Sequence, residues 1–198
     1  LLLSHMRGHI CDMDRLMAIC GAAGVAVVED CAHTMGAAWS GVPSGRHGAV
    51  GCYSTQTYKH MNSGEGGLIV SDDADLMAKM VLLSGSYMLF GRHKAVPPPE
   101  MFEKAKFDIP NISGRMDNLR AAILRPQLRD LAAQRDRWNT LYRTMEAGLD
   151  GVTGLRLIPR PQRETYVGSS FQFLLPDWGP VSVEGLVARC LARGVELK

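Results

Sequence analysis

The sequence predicts an α/β protein built on a mostly parallel sheet with helices packed on its faces. Three observations point there. Strand-like and helix-like pieces alternate through the first half, the apolar runs are too short to be helices, and 46% hydrophobic with 21% charged residues describes a globular chain. Leu1 to Ser4 reads as the end of a buried strand. Asp12 to Ala23 carries Met13, Leu16, Met17 and Cys20 at helical spacing, with Asp12 placed to cap the start and Gly24 to close the end. Val25-Ala26-Val27-Val28 follows as a continuous apolar run, expected of a parallel strand covered on both faces and ending at Glu29-Asp30. Strand, helix and strand in that order form a βαβ unit.

From Trp39 to Gly51 glycine and proline punctuate loops and one short strand pair, and Gly45-x-x-Gly48-x-x-Gly51 reads as turn glycines. Cys52 to Thr55 is a further short strand. After the Gly64-Glu65-Gly66-Gly67 turn comes the strand Leu68-Ile69-Val70, then a helix capped by Asp72 or Asp73. Residues 86 to 112, with Pro97-Pro98-Pro99 and no clear period, read as a long surface excursion. Met116 to Leu149 is one long helix, with a kink expected at Pro126. Beyond Gly151 the pattern changes to strands at Leu155 to Ile158 and Phe171 to Leu175, then a helix from Val183 to Ala192. These imply three parts: 1–114 in a large domain, 115–149 as a connecting helix, and 150–198 as the beginning of a smaller α+β domain.

The composition narrows the function classes. The 198 residues carry 22 basic and 20 acidic side chains, a net charge of +2 without a basic cluster, so nucleic acid is not the expected partner. No apolar run approaches the roughly 20 residues that span a membrane. Five cysteines without a C-x-x-C pair suggest neither a disulfide framework nor a zinc ribbon, and fit a reducing, cytoplasmic setting. The opening Leu1-Leu2-Leu3, without an initiator Met, reads as a fragment lacking its N-terminal segment. His5 and His9 lie four apart, but Gly8 puts a turn between them, and no metal site is expected.

Asp30, at the carboxyl end of a buried strand, stands where open α/β sheets place their ligands, and fits a turn or cap carboxylate as well. Lys59, taken alone, reads as surface. Taken together, Glu29-Asp30-Cys31-Ala32-His33, Ser54-x-x-x-x-Lys59 and Gly64-Glu65-Gly66-Gly67 resemble the DegT/DnrJ/EryC1/StrS family of pyridoxal-phosphate-dependent sugar aminotransferases. His5-Met6-Arg7-Gly8, Asp12-Met13-Asp14, Arg115-Met116, Ala121-Ala122-Ile123 and Gln127-Leu128 extend the resemblance along nearly the whole chain.

The resemblance implies the fold type I of pyridoxal-phosphate-dependent transferases, pyridoxal 5'-phosphate as cofactor, and a homodimer with active sites at the subunit interface. It implies a Schiff base at Lys59, whose freed amine then moves the proton between substrate and cofactor. Asp30 would hold the pyridine nitrogen protonated, and Ser54 would bind the cofactor phosphate. His33 stands where many relatives have glutamine near the phenolic oxygen, with a packed histidine as the alternative. Ser113 stands where relatives commonly carry an asparagine that reaches the neighbouring subunit's phosphate; Asn111 lies two residues earlier. The implied reaction is transfer of an amino group, from glutamate, to a nucleotide-linked keto sugar. Sugar dehydratases of the same fold carry histidine in place of Lys59, and a silent binding relative would not need Asp30, Ser54 and Lys59 together.

Overall fold

The computed structural model describes residues 1–85, 88–92, 96–110 and 112–197. Its main sheet has four strands: β1 (Leu2–Ser4), β2 (Val28–Asp30), β5 (Val50–Ser54) and β6 (Gly67–Val70), adjacent in that order. The first three are parallel and β6 is antiparallel to β5, so the sheet is mostly parallel as expected. Between β1 and β2 runs α1 (Met13–Ala22), where the Asp12 side chain accepts from the Arg15 amide to cap the first turn. Two short strands, β3 (Ala38–Trp39) and β4 (Val42–Pro43), form the expected antiparallel pair.

Two strand assignments need correcting. The second strand comprises Val28, Glu29 and Asp30, not Val25 to Val28. Gly24 is left-handed (φ +64°) and the Val25 amide bonds back to Cys20, so Val25 belongs to the helix exit and is 43% exposed. An apolar run marked the neighbourhood, but the ladder is carried by two acids. The first strand is not buried: Leu2 is 73% exposed, because β1 lies at an edge of the described sheet.

Both acids can occupy a strand because alternation sends them to opposite faces. The register Ser4↔Asp30↔Cys52 puts Asp30 on one face, while Leu3↔Glu29↔Gly51 puts Glu29 on the other. Glu29 is fully buried and saturated. One carboxylate oxygen accepts from the His47 amide (2.8 Å) and the Gly48 amide (2.7 Å); the other accepts from the Gly45 amide (2.8 Å) and meets His5 Nε2 at 3.1 Å. The glycines of the 45–51 run therefore do more than turn the chain. A Cβ on Gly48 would sit 2.4 Å from the Val27 carbonyl oxygen, and one on Gly51 would sit 2.4 Å from the Gly45 backbone. Without side chains the loop comes close enough for its amides to reach the carboxylate.

After β6, Asp73 caps α2 (Ala74–Leu83) through the Leu76 amide. The 86–112 stretch is not wholly a surface excursion. It contains α3 (Pro99–Glu103), whose Phe102 is buried with Ala78, Leu82 and Ala105 and stacks on Phe90 at 4.3 Å. Residues 86, 87, 93–95 and Asn111 lie outside the described residues. The long helix α4 (Asn118–Leu149) starts at an Asp117 cap and stays helical through Pro126. Its Leu124 packs with Met35 and Met61. Further on come β7 (Arg156–Leu157) and β9 (Phe173–Leu174), paired antiparallel, and α5 (Pro180–Leu191). Between them β8 (Glu164–Thr165), not foreseen, pairs with β3 and brings buried Val167 against Ile10, Met13 and Trp39.

Burial alone would raise the Glu29 carboxyl, but His5 and the three amides overcome it and hold it at about 2, against 4.5 for a free side chain. A carboxylate depressed on folding adds stability above the unfolded value and loses it as the pH falls through the folded one. This group should contribute on the order of 3 kcal/mol near neutrality, lost between about pH 4.5 and pH 2. Urea unfolding of Glu29→Gln should show a deficit of that order at pH 7 that narrows towards pH 2.

Candidate active site

The site is assembled from the carboxyl ends of β2 and β5. Asp30 ends β2, accepting from the Ser4 hydroxyl at 2.9 Å and the Ala32 amide at 3.0 Å. The second bond is an Asx-turn that folds the chain over into residues 31–34, closed by the Thr34 amide on the Cys31 carbonyl. His33 sits in this turn. Ser54 ends β5, and its hydroxyl accepts from the Gln56 amide at 3.3 Å. The loop beyond is pinned to the Gly64–Gly67 turn by Thr55 on the Gly66 carbonyl and Thr57 on the Gly64 carbonyl. Buried Thr55 and Met61 seat it at either side. Lys59 is thereby held across from the 31–34 turn, with Nζ 3.2 Å from His33 Nε2.

These two turns open on a cleft of about 360 Å³ that Arg7, His33, Tyr58, Lys59, His60 and Ser169 help to line. Burial lowers the His33 pKa, and the Lys59 and Arg7 cations lower it further, against a smaller upward pull from Asp30. The ring is therefore neutral near pH 7 and accepts from Lys59 through Nε2. His60 is pushed down to about 4, chiefly by burial and then by His33 and Lys59. Its Nε2 lies 2.7 Å from the Ser169 hydroxyl, and its ring packs on Trp138 at 5.3 Å.

Of the residues singled out from sequence, Lys59 and His33 are in contact. Asp30 and Ser54 end adjacent strands behind them, outside the cleft lining. Ser113 is exposed, left-handed (φ 57°), in the stretch leading to α4, and also outside that lining. Sequence reasoning missed Arg7, His60, Trp138, Ser169 and Ser170. Two had a local signal, His60 in its place beside Lys59 and Arg7 within the His5-Met6-Arg7-Gly8 stretch. Another buried trio, His5, Glu29 and Cys31, has ligand-type atoms within 4.8 Å of one another, but both Glu29 oxygens already accept two hydrogen bonds each.

The DegT/DnrJ/EryC1/StrS aminotransferase family matches the chain over residues 1–196. The chain belongs to that family. An L-glutamine:2-deoxy-scyllo-inosose aminotransferase of Streptomyces lividus is 31% identical over all of the chain and 46% of the relative. A GDP-perosamine synthase of Caulobacter vibrioides is 36% identical over 63% of the chain and 30% of the relative. Among solved structures, DesV of S. venezuelae in complex with a ketimine intermediate superimposes with a TM-score of 0.80 at 27% identity, covering 99% of this chain and 48% of that one. The chain spans about half the length of these relatives. Its fold is the type I fold of pyridoxal-phosphate-dependent aminotransferases.

The placement of Lys59 against His33 in this family member has a measurable consequence. Lys59→Met removes a cation that holds the imidazole's pKa down, so in cofactor-free protein His33 should titrate higher than in the wild type. Proton NMR of the imidazole resonances checks this; an unmoved His33 would contradict the contact.

Proposed function

We propose that the chain forms the cofactor-anchoring part of a pyridoxal 5'-phosphate-dependent aminotransferase that places an amino group on a ring ketone of a sugar or cyclitol. One observation carries the reading: a primary amine, Lys59, held against a neutral imidazole beside the carboxyl ends of the strands that bear Asp30 and Ser54. The donor set fits the cofactor. It combines an amine for an aldehyde, a carboxylate for a pyridinium nitrogen, an imidazole for a phenolic oxygen and a hydroxyl for a phosphate, beside a cleft of about 360 Å³.

When bound, pyridoxal 5'-phosphate supplies an aldehyde that captures an amine and a ring that takes up the electrons released when the substrate carbon–hydrogen bond breaks. The protein's residues do the rest. Lys59 Nζ anchors the group and, once released, carries the proton between carbons. Asp30, oriented by the Ser4 hydroxyl and the Ala32 amide, keeps a proton on the ring nitrogen. His33 Nε2 holds Lys59 in place and is suited to the phenolic oxygen. Ser54, and Ser113 across a homodimer interface, are assigned to the phosphate.

The relatives' names support an acceptor that is a polyhydroxylated ring ketone, nucleotide-linked as in GDP-perosamine synthase or free as in the inosose aminotransferases. They support glutamine beside glutamate as amino donor. Retention of Lys59 disfavours a dehydratase. We assign the reaction to the cytoplasm, in keeping with five free cysteines, and 1–114, 115–149 and 150–198 to the large domain, connecting helix and small domain.

The intact protein mixed with pyridoxal 5'-phosphate and reduced with borohydride should carry the cofactor on the Lys59 peptide. A Lys59→Ala variant that retained the same fixed adduct would sink the assignment. Addition of glutamine or glutamate should bleach the visible band with release of the matching 2-oxo acid, and a band indifferent to every amino donor would rule out transfer.

A further inference from the structure

Arg7 occupies a backbone conformation that costs it something and gains the fold nothing visible. It lies in the left-handed region at φ 57°, ψ 20°, where a glycine would sit without strain. Among the described residues its guanidinium makes no hydrogen bond or ion pair. The turn itself is held by other atoms. The His5 amide bonds to the Asp30 carbonyl, Gly8 packs against the His33 carbonyl, and the Gly8 carbonyl accepts from Arg160 at 2.7 Å. What Arg7 does is line the cleft that holds His33 and Lys59.

That lining contains no aspartate or glutamate among the described residues. Once Lys59 is committed to the cofactor, Arg7 is the fixed cation left in it, with the Ser169 and Ser170 hydroxyls also on the wall. We propose that Arg7 binds the α-carboxylate of the amino donor, with the hydroxyl of Ser169 or Ser170 as second contact. The proposal rests on the aminotransferase reading and names its donor subsite.

Geometry favours a carboxylate over the diphosphate of a nucleotide-linked acceptor. In an amino acid the carboxylate is bonded to the carbon whose nitrogen must reach the Lys59 position, so its cation must share the lysine's small cleft. A diphosphate stands off from the reacting carbon by the width of a sugar ring. A planar guanidinium also matches a carboxylate in bidentate fashion, and the interaction strengthens where water is displaced.

The test uses Arg7→Gly, which removes charge and strain together, and Arg7→Gln, which keeps a polar side chain. Both should still take cofactor onto Lys59, and Arg7→Gly should melt at or above the wild-type temperature. The glutamine or glutamate concentration for half-bleaching should rise about tenfold or more in both. An unchanged half-bleaching concentration in Arg7→Gln overturns the proposal.

A second arm does not need transfer to occur. In cofactor-free wild type, 2-oxoglutarate bound at Arg7 should offset the guanidinium and raise the pKa of His33, and it should not do so in Arg7→Gln. No movement in the wild type, or equal movement with inorganic phosphate, overturns the carboxylate assignment. If neither amino acid bleaches the wild type, the aminotransferase reading fails by itself, and the His33 titration still decides the subsite.

Discussion

The Glu29 carboxylate is the interaction on which the arrangement around the cleft depends. A buried carboxylate is costly unless its acceptors are filled, and here four donors converge on two oxygens. Those donors come from the first turn of the chain, through His5, and from the 45–48 loop. The carboxylate therefore ties two separate segments to the middle of one three-residue strand. Removing one partner would leave the others facing a buried charge, so the arrangement holds as a unit.

The next residue shows what the tie is for. Alternation along β2 turns Asp30 to the opposite face, so an immobile Glu29 fixes the backbone from which Asp30 projects. Asp30 then organises its own surroundings, orienting on Ser4 and folding the 31–34 turn through the Ala32 amide. That turn presents His33, and His33 receives Lys59 from the other loop. The chain of dependence thus runs from Glu29 to Asp30, one residue apart, and on through His33 to the Lys59 amine. The first turn is drawn in by the same acid through His5, and it sets Arg7 at the cleft.

Much of this frame was legible in the residues. Caps at Asp12 and Asp73 and the glycine turn after Lys59 have local causes, so local reading located them. β2 was misplaced because apolar runs mark burial, and Glu29 is buried without being apolar. Its partners lie 16 to 19 residues away in the loop and 24 away at His5, beyond any periodicity. The strand Glu164–Thr165 was missed for the same reason. Two residues have no period, and their pairing with Ala38–Trp39 spans more than a hundred positions. Asp30, His33 and Lys59 were singled out by resemblance, whereas Ser169 and Trp138 reach the cleft by tertiary packing alone.

The electrostatics of the cleft follow from where its charges are anchored. Asp30 keeps its negative charge behind the 31–34 turn, bound to a hydroxyl and an amide, while the open side carries Lys59 and Arg7. Burial makes protonation of His33 unfavourable, and the two nearby cations add to this. A neutral His33 can then accept from Lys59 without adding a third positive charge. His60 is kept neutral chiefly by its own burial and then by His33 and Lys59, and its place against Trp138 and Ser169 becomes one of packing. The positive charge facing the cleft is thus confined to the side chains of Lys59 and Arg7. With Lys59 reserved for the cofactor in the proposed reaction, Arg7 is the cation left for the carboxylate of an α-amino acid or of its 2-oxo counterpart.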